Sequence, residues 1–117
     1  MYDDNNIFAK IIRSEISCDK VYEDDNVLFF HDINPVAKVH VLGMPKTKCA
    51  NFADFIEQTN EQIINNFFNK ILDVVNKLGL RESGYRLITN TGINGGQEVP
   101  HYHVHIIGGE PLGSKIK

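Results

Sequence analysis

Two periodicities divide this chain. Helical spacing comes first: Ile7, Phe8, Ile11 and Ile12 fall on one side of a short amphipathic helix over residues 5–15, with Asn5 or Asn6 as its cap. The same spacing returns at positions 63, 64, 67, 68, 71, 72, 74, 75 and 78, which predicts one long helix from Ile63 to Leu78. Thr59-Asn60-Glu61-Gln62 reads as its capping box and Gly79 as its left-handed stop. The apolar arc of that helix spans about half its circumference, wider than one packed face needs, and a small domain has little with which to cover the rest. A second copy of the chain is the expected cover.

Elsewhere the period is two. Lys20 to Glu23 and Val27 to His31 read as strands joined in a hairpin, and Val39 to Met44 as a third strand closed by Pro45. Tyr85 to Asn90 reads as a fourth, and the histidine stretch as a fifth. Asp32-Ile33-Asn34-Pro35 breaks the pattern into a loop, because proline restricts its predecessor and Asp or Asn folds back on nearby amides. Short strands around one long helix predict an α+β domain with an antiparallel sheet, covering residues 1–117, with 110–117 as a partly mobile tail.

The sharpest alternation is GGQEVPHYHVHIIGG, Gly95 to Gly109. Successive side chains of a strand point to opposite faces, so His101, His103 and His105 share one face and Tyr102, Val104 and Ile106 the other. One face suits a core and the other a site. Three roles fit such a row. Two imidazoles, about 6.6 Å apart at the backbone, could converge on a metal with His40 or Glu98 completing the set. Each ring could be satisfied structurally, a costly way to fill a core. Or one nitrogen could attack a phosphorus or acyl centre while its other nitrogen is held by an acceptor. Gly92, Gly95 and Gly96 permit a loop whose amides turn toward an anion, and Gln97 adds a neutral donor. The residues alone leave metal binding and catalysis both open.

Charge and composition narrow the field. A net charge of −3 over 117 residues argues against binding a nucleic acid polymer. No apolar run approaches the roughly 20 residues of a membrane helix, and the acidic start MYDDNN is unlike a secretory signal, which predicts a cytoplasmic protein without a membrane partner. Cys18 and Cys49 lack a CxxC spacing and are read as reduced and structural.

His101-Tyr102-His103-Val104-His105-Ile106-Ile107 resembles the signature of the histidine triad family. The likeness extends to Ile7 through Ile16, Val21-Tyr22-Glu23-Asp24-Asp25, Phe30 through Pro35, His40, Pro45-Lys46 and Gly95-Gly96-Gln97, and is closest to the Hint branch. The resemblance implies a five-stranded antiparallel sheet with one long helix and a short first helix. It implies a homodimer whose two sheets join, with the long helix at the interface. It also implies hydrolysis of purine nucleoside phosphoramidates, or of aminoacyl adenylates, to the nucleoside monophosphate and an amine, with no metal or other cofactor. His103 would be the nucleophile, supported by His101 and His105, with His40 completing the cluster. Asp32 would bond the ribose hydroxyls, and Ile7, Phe8, Ile11, Phe30, His31 and Ile33 would enclose the base. Asn90, Gly96 and Gln97 would face the phosphate or ribose. A neutral nucleophile beside a protonated neighbour would give a bell-shaped pH dependence. Two further classes stay open beside the hydrolase: a nucleotide-binding regulatory protein without turnover and a histidine-cluster metal-binding protein.

Three positions depart from the family pattern. Glu98 stands where animal Hint proteins carry a serine that can donate to the phosphate or leaving group, which leaves its part in nucleotide binding open. Pro100 replaces a common tyrosine, and the tail lacks a tryptophan.

Overall fold

The computed structural model describes residues 1–114 and 116. Eight elements follow one another: α1 (Ile7–Ile12), β1 (Lys20–Glu23), β2 (Val27–His31), β3 (Val39–Pro45), α2 (Phe52–Gln58), α3 (Glu61–Lys77), β4 (Tyr85–Ile88) and β5 (Val104–Gly108). The strands form one antiparallel sheet in the order β1-β2-β3-β5-β4. The expected α+β architecture, with its five-stranded antiparallel sheet, long helix and short first helix, is the one observed.

Side-chain alternation splits the sheet into two apolar faces. Val27, Phe29, Val41, Val104 and Ile106 pack beneath Phe55 of α2 and Phe67, Ile71, Val74 and Val75 of α3. Leu28, Phe30, Leu42 and Met44 face the other way, toward Phe8 and Ile11 of α1. Strand β2 is therefore buried on both sides from Val27 to Phe30, which is why its sequence is a continuous apolar run rather than an alternation. On β3, Gly43 lies beneath the Phe29 ring, where an added Cβ would come 2.3 Å from a ring carbon.

Several boundaries differ from the sequence expectation. Helix α1 is shorter than 5–15: Asn6 Oδ1 accepts the Ala9 amide at 2.8 Å to start it, and Ser14 at φ 64° ends the run. Asn60, not Thr59, caps α3, accepting the Ile63 amide at 3.0 Å. Thr59 instead closes α2, a helix the apolar pattern did not announce, which starts at Asn51 with a side-chain bond to the Asp54 amide. Gly79 does stop α3: at φ 71° it donates to the Asn76 carbonyl while Leu80 donates to that of Val75. The fourth strand ends at Ile88, before Asn90. The histidine strand begins only at Val104, leaving His101 to His103 in a lead-in outside the ladder.

Phe68 and Leu72 of α3 remain about two-fifths exposed, as does Ile56 of α2. Phe68 and Leu72 form the uncovered part of the broad apolar arc of α3. In the tail, the Glu110 carboxylate accepts the Lys38 amide at 2.8 Å and the Arg86 guanidinium donates to the Gly113 carbonyl. Part of the segment expected to be mobile, Lys115 and Lys117, lies outside the described residues. Both cysteines are free, and burial pushes the Cys49 thiol up to about 12.

Candidate active site

Antiparallel pairing of β3 with β5 brings the histidines together. His40 lies opposite Ile107 and Leu42 opposite His105, so His40 and His105 are diagonal neighbours on one face. Their rings lie 5.1 Å apart, and the His105 ring is 5.2 Å from that of His103. Phe8 of α1 meets the His103 ring edge-on at 4.8 Å. The alternation read in the sequence persists through the lead-in: Tyr102, Val104 and Ile106 enter the α3-side core, whereas His101 and His103 are buried on the other side and His105 is half-buried.

Backbone groups determine which nitrogen of each ring carries a proton. His103 Nδ1 lies 2.6 Å from the His101 carbonyl, an oxygen that can only accept, so Nδ1 holds the hydrogen and Nε2 keeps a lone pair. His101 Nε2 likewise donates to the Pro45 carbonyl at 2.7 Å, leaving Nδ1 to accept the Tyr2 hydroxyl at 2.5 Å. The Val36 amide donates to His40 Nδ1 at 3.1 Å, which puts the His40 proton on Nε2. That proton is donated to His105 Nδ1 at 2.9 Å, and His105 is left with an Nε2–H for the cavity its ring lines. One backbone amide and two carbonyls thus set the polarity of four imidazoles.

Burial sets their charge. It pushes His101 and His105 down to about 4 and lowers His103 and His40 from the usual imidazole range. All four are neutral at neutral pH. The protonated neighbour expected from the sequence is not among these four rings at neutral pH.

A cavity of about 210 Å³ opens over His103 and His105, lined also by Phe8, Asp32, Leu42, Asn90, Gly96, Gln97, Glu98 and Val99. Eight expected residues therefore converge. Leu42 and Val99 were not anticipated, although Leu42 shares its strand face with His40. The other expected residues stand elsewhere. His101 is fully buried beneath the lead-in, and His40 sits behind His105. Phe30 and Ile11 belong to the apolar cluster below, Ile7 is 46% and Ile33 88% exposed, and His31 is exposed on the strand face away from Phe30.

Two expected donors prove to be engaged. Gln97 Nε2 donates to the carbonyls of Ala50 at 2.6 Å and Val99 at 3.0 Å, and its Oε1 accepts the Gly92 amide at 3.2 Å. It pins the glycine loop rather than offering an amide to the cavity. The amides of Gly96 and Gln97 bond to the Ile93 and Gly92 carbonyls within the same loop, and Asn90 Nδ2 donates to Gly95. Gly96, at φ 70°, takes the left-handed turn this loop requires. Asp32 Oδ1 accepts the Asn34 amide at 2.8 Å, the local fold-back expected of this loop, while Oδ2 lies 3.4 Å from His40 Nε2.

Asp32, His40 and His105 place their ligand-type atoms within 4.8 Å of one another, the one such trio among the described residues. A metal there would need the His40 Nε2 lone pair, which requires moving the proton to Nδ1 against the Val36 amide. The hydrogen-bond polarity therefore works against a metal at this trio.

A small antiparallel sheet with one long helix carries buried alternating imidazoles beside a cavity, the arrangement of a hydrolase-like fold. The HIT domain family model matches residues 13–112. This chain belongs to that family. It is 46% identical to a HIT-like protein of Rickettsia prowazekii over 96% of this chain and 93% of that one. It is 43% identical to the purine nucleoside phosphoramidase of Escherichia coli K12, over 94% and 92%. Among solved structures, a HIT family hydrolase from Clostridium thermocellum superposes with a TM-score of 0.89 at 43% identity, covering 98% of this chain and 99% of its own.

Proposed function

We propose that this chain hydrolyses purine nucleoside phosphoramidates, and related adenylates, to a nucleoside monophosphate and an amine. The observation that carries the reading is the His103 ring: its Nδ1–H is held by the His101 carbonyl, so Nε2 is a neutral nucleophile beside a cavity. Nε2 would form a bond to phosphorus as the phosphorus–nitrogen bond breaks, and the His101 carbonyl would stabilise the positive ring that results. The departing nitrogen takes a proton from solvent. Water then attacks phosphorus, releases Nε2 and returns that proton, so the net reaction consumes one water. His105 Nε2–H would bond a phosphoryl oxygen. Among the described residues no lysine or arginine lines the cavity, so neutral donors there would hold the anion.

The E. coli relative named for this activity supports the substrate class. Two attendant proposals accompany it. The uncovered Phe68 and Leu72 on α3, and the outer strand β4 with Leu87 46% exposed, support a homodimer built on that side. The second is a cytoplasmic location; among the described residues no helix is long and apolar enough to cross a membrane.

The test is a fluorogenic adenosine phosphoramidate given to wild type, His103→Ala and chelator-treated protein. Turnover should survive chelation and fall by at least about a thousandfold in His103→Ala. Retained turnover in that variant would reject His103 as nucleophile. Tight monophosphate binding with no amine release would favour a regulatory binder, and loss on chelation a metal protein.

A further inference from the structure

His101 is the residue through which the nucleophile is held, and three separate parts of the chain converge on it. Pro45 of β3 receives its Nε2–H, His103 donates to its carbonyl, and the Tyr2 hydroxyl donates to its Nδ1 at 2.5 Å. With Nε2 fixed as a donor, Nδ1 of the neutral ring must accept, and Tyr2 is the one donor found on it among the described residues. With Tyr2 in place His101 is 0% exposed. The Tyr2 ring also meets the imidazole edge-on, with centroids 5.6 Å apart.

Tyr2 is itself held. The Asp3 carbonyl accepts both the amide and the side chain of Asn6, the cap of α1, and Asp3 Oδ1 accepts the Asn5 amide. Next to it, the Asp4 carbonyl accepts from Arg13 and the Asp4 carboxylate pairs with Lys48 at 2.8 Å. These bonds strap the segment ahead of α1 across His101, while α1 presents Phe8 to the ring of His103.

We propose that Tyr2 is a positioning residue for the nucleophile: its hydroxyl holds the His101 ring, and thereby the His101 carbonyl that aims His103 Nε2 at the cavity. The proposal rests on the hydrolase reading above. A buried acceptor left without its donor invites the ring to turn, and the carbonyl two bonds from that side chain's attachment moves with it.

Tyr2→Phe keeps the ring and its edge contact and removes only the hydroxyl. Turnover of the fluorogenic phosphoramidate should show kcat lowered about tenfold with KM within about twofold, because aim is lost and binding is not. In a His101→Ala background the same change should cost nothing further, since its route of action is gone. The downfield proton resonance of His103 Nδ1–H, followed by nuclear magnetic resonance in ¹⁵N-labelled protein, should shift or broaden in Tyr2→Phe. A kcat within twofold of wild type, an equal loss in the His101→Ala background, or an unmoved His103 resonance overturns the proposal. Should His101→Ala not fold, the kcat against KM split and the resonance decide. If wild type does not cleave phosphoramidates, the hydrolase reading fails by itself, and the resonance alone then judges Tyr2: a shift upholds the link to His103 and no shift removes it.

Discussion

The two faces of the sheet are both buried, yet they are built from opposite materials. Under α3, Phe55, Phe67, Phe29 and Tyr102 pack ring against ring, with centroids 4.9 to 6.3 Å apart. Under α1, the neighbouring positions of the same chain place His40, His101 and His103 in comparable burial, each with its nitrogens matched to a partner or to the cavity. Burial on the first face yields stability without specifying chemistry. On the second it removes charge from imidazoles that would otherwise protonate, and leaves the lone pair of His103 Nε2 without a hydrogen-bond partner among the described residues.

Substitutions on the two faces should separate these effects, and the largest difference in stability lies on the aromatic side. Phe67→Ala should lower unfolding free energy by about 3–5 kcal/mol, because Phe67 is fully buried among Phe29, Phe55 and Tyr102. His103→Ala, which abolishes turnover in the reading above, should cost clearly less, and urea denaturation of the two variants measures the contrast. Equal costs would erase the distinction between the faces.

Acid should act through the histidine face. His101 and His105 titrate at about 4 when folded but at about 6.5 in an unfolded chain. Above about pH 6.5 neither state takes up these protons and stability is level; as pH falls toward 4 the unfolded chain binds more, so stability declines across that window. Calorimetry should show Tm dropping between pH 6.5 and 5, before most carboxylates titrate, and less steeply in His105→Asn. A flat wild-type profile over that interval would contradict the burial argument.

The smallest expected effect concerns the loop above the cavity. Gln97→Ala removes three hydrogen bonds that pin the glycine loop and should lower kcat/KM by about fivefold, the equivalent of roughly 1 kcal/mol. Circular dichroism should be unchanged. A loss as large as that of His103→Ala would mean that the side chain touches substrate directly.

What the sequence made legible follows from the range of the forces involved. The alternation of residues 101–107, the continuous apolar run of β2 and the Gly79 stop are local rules, and each stands in the structure. The engagement of Gln97 depends on the Ala50 carbonyl, 47 residues away, and the bond of Tyr2 to His101 spans 99, so neither leaves a periodic trace. Helix α2 is seven residues long and buries only Phe55 fully, too short a pattern to stand out from a loop. Thr59 and Asn60 are both good caps, and the presence of α2 decides between them by claiming Thr59 for its own end. The proton polarity of the imidazoles was beyond reach because it is set by the carbonyls of Pro45 and His101 and the amide of Val36.

The one-in, one-out order from His101 to Ile106 also bears on how this stretch can change over evolutionary time. Loss or gain of one residue between Val99 and Val104 would exchange the faces of the lead-in, turning Tyr102 toward the cavity and imidazoles into the aromatic core. A point change here alters one side chain at a time, but a single-codon insertion or deletion alters every position at once. The segment is thus constrained in length as well as in composition, whereas the side chain of Ile93, at the solvent-exposed tip, is free to vary.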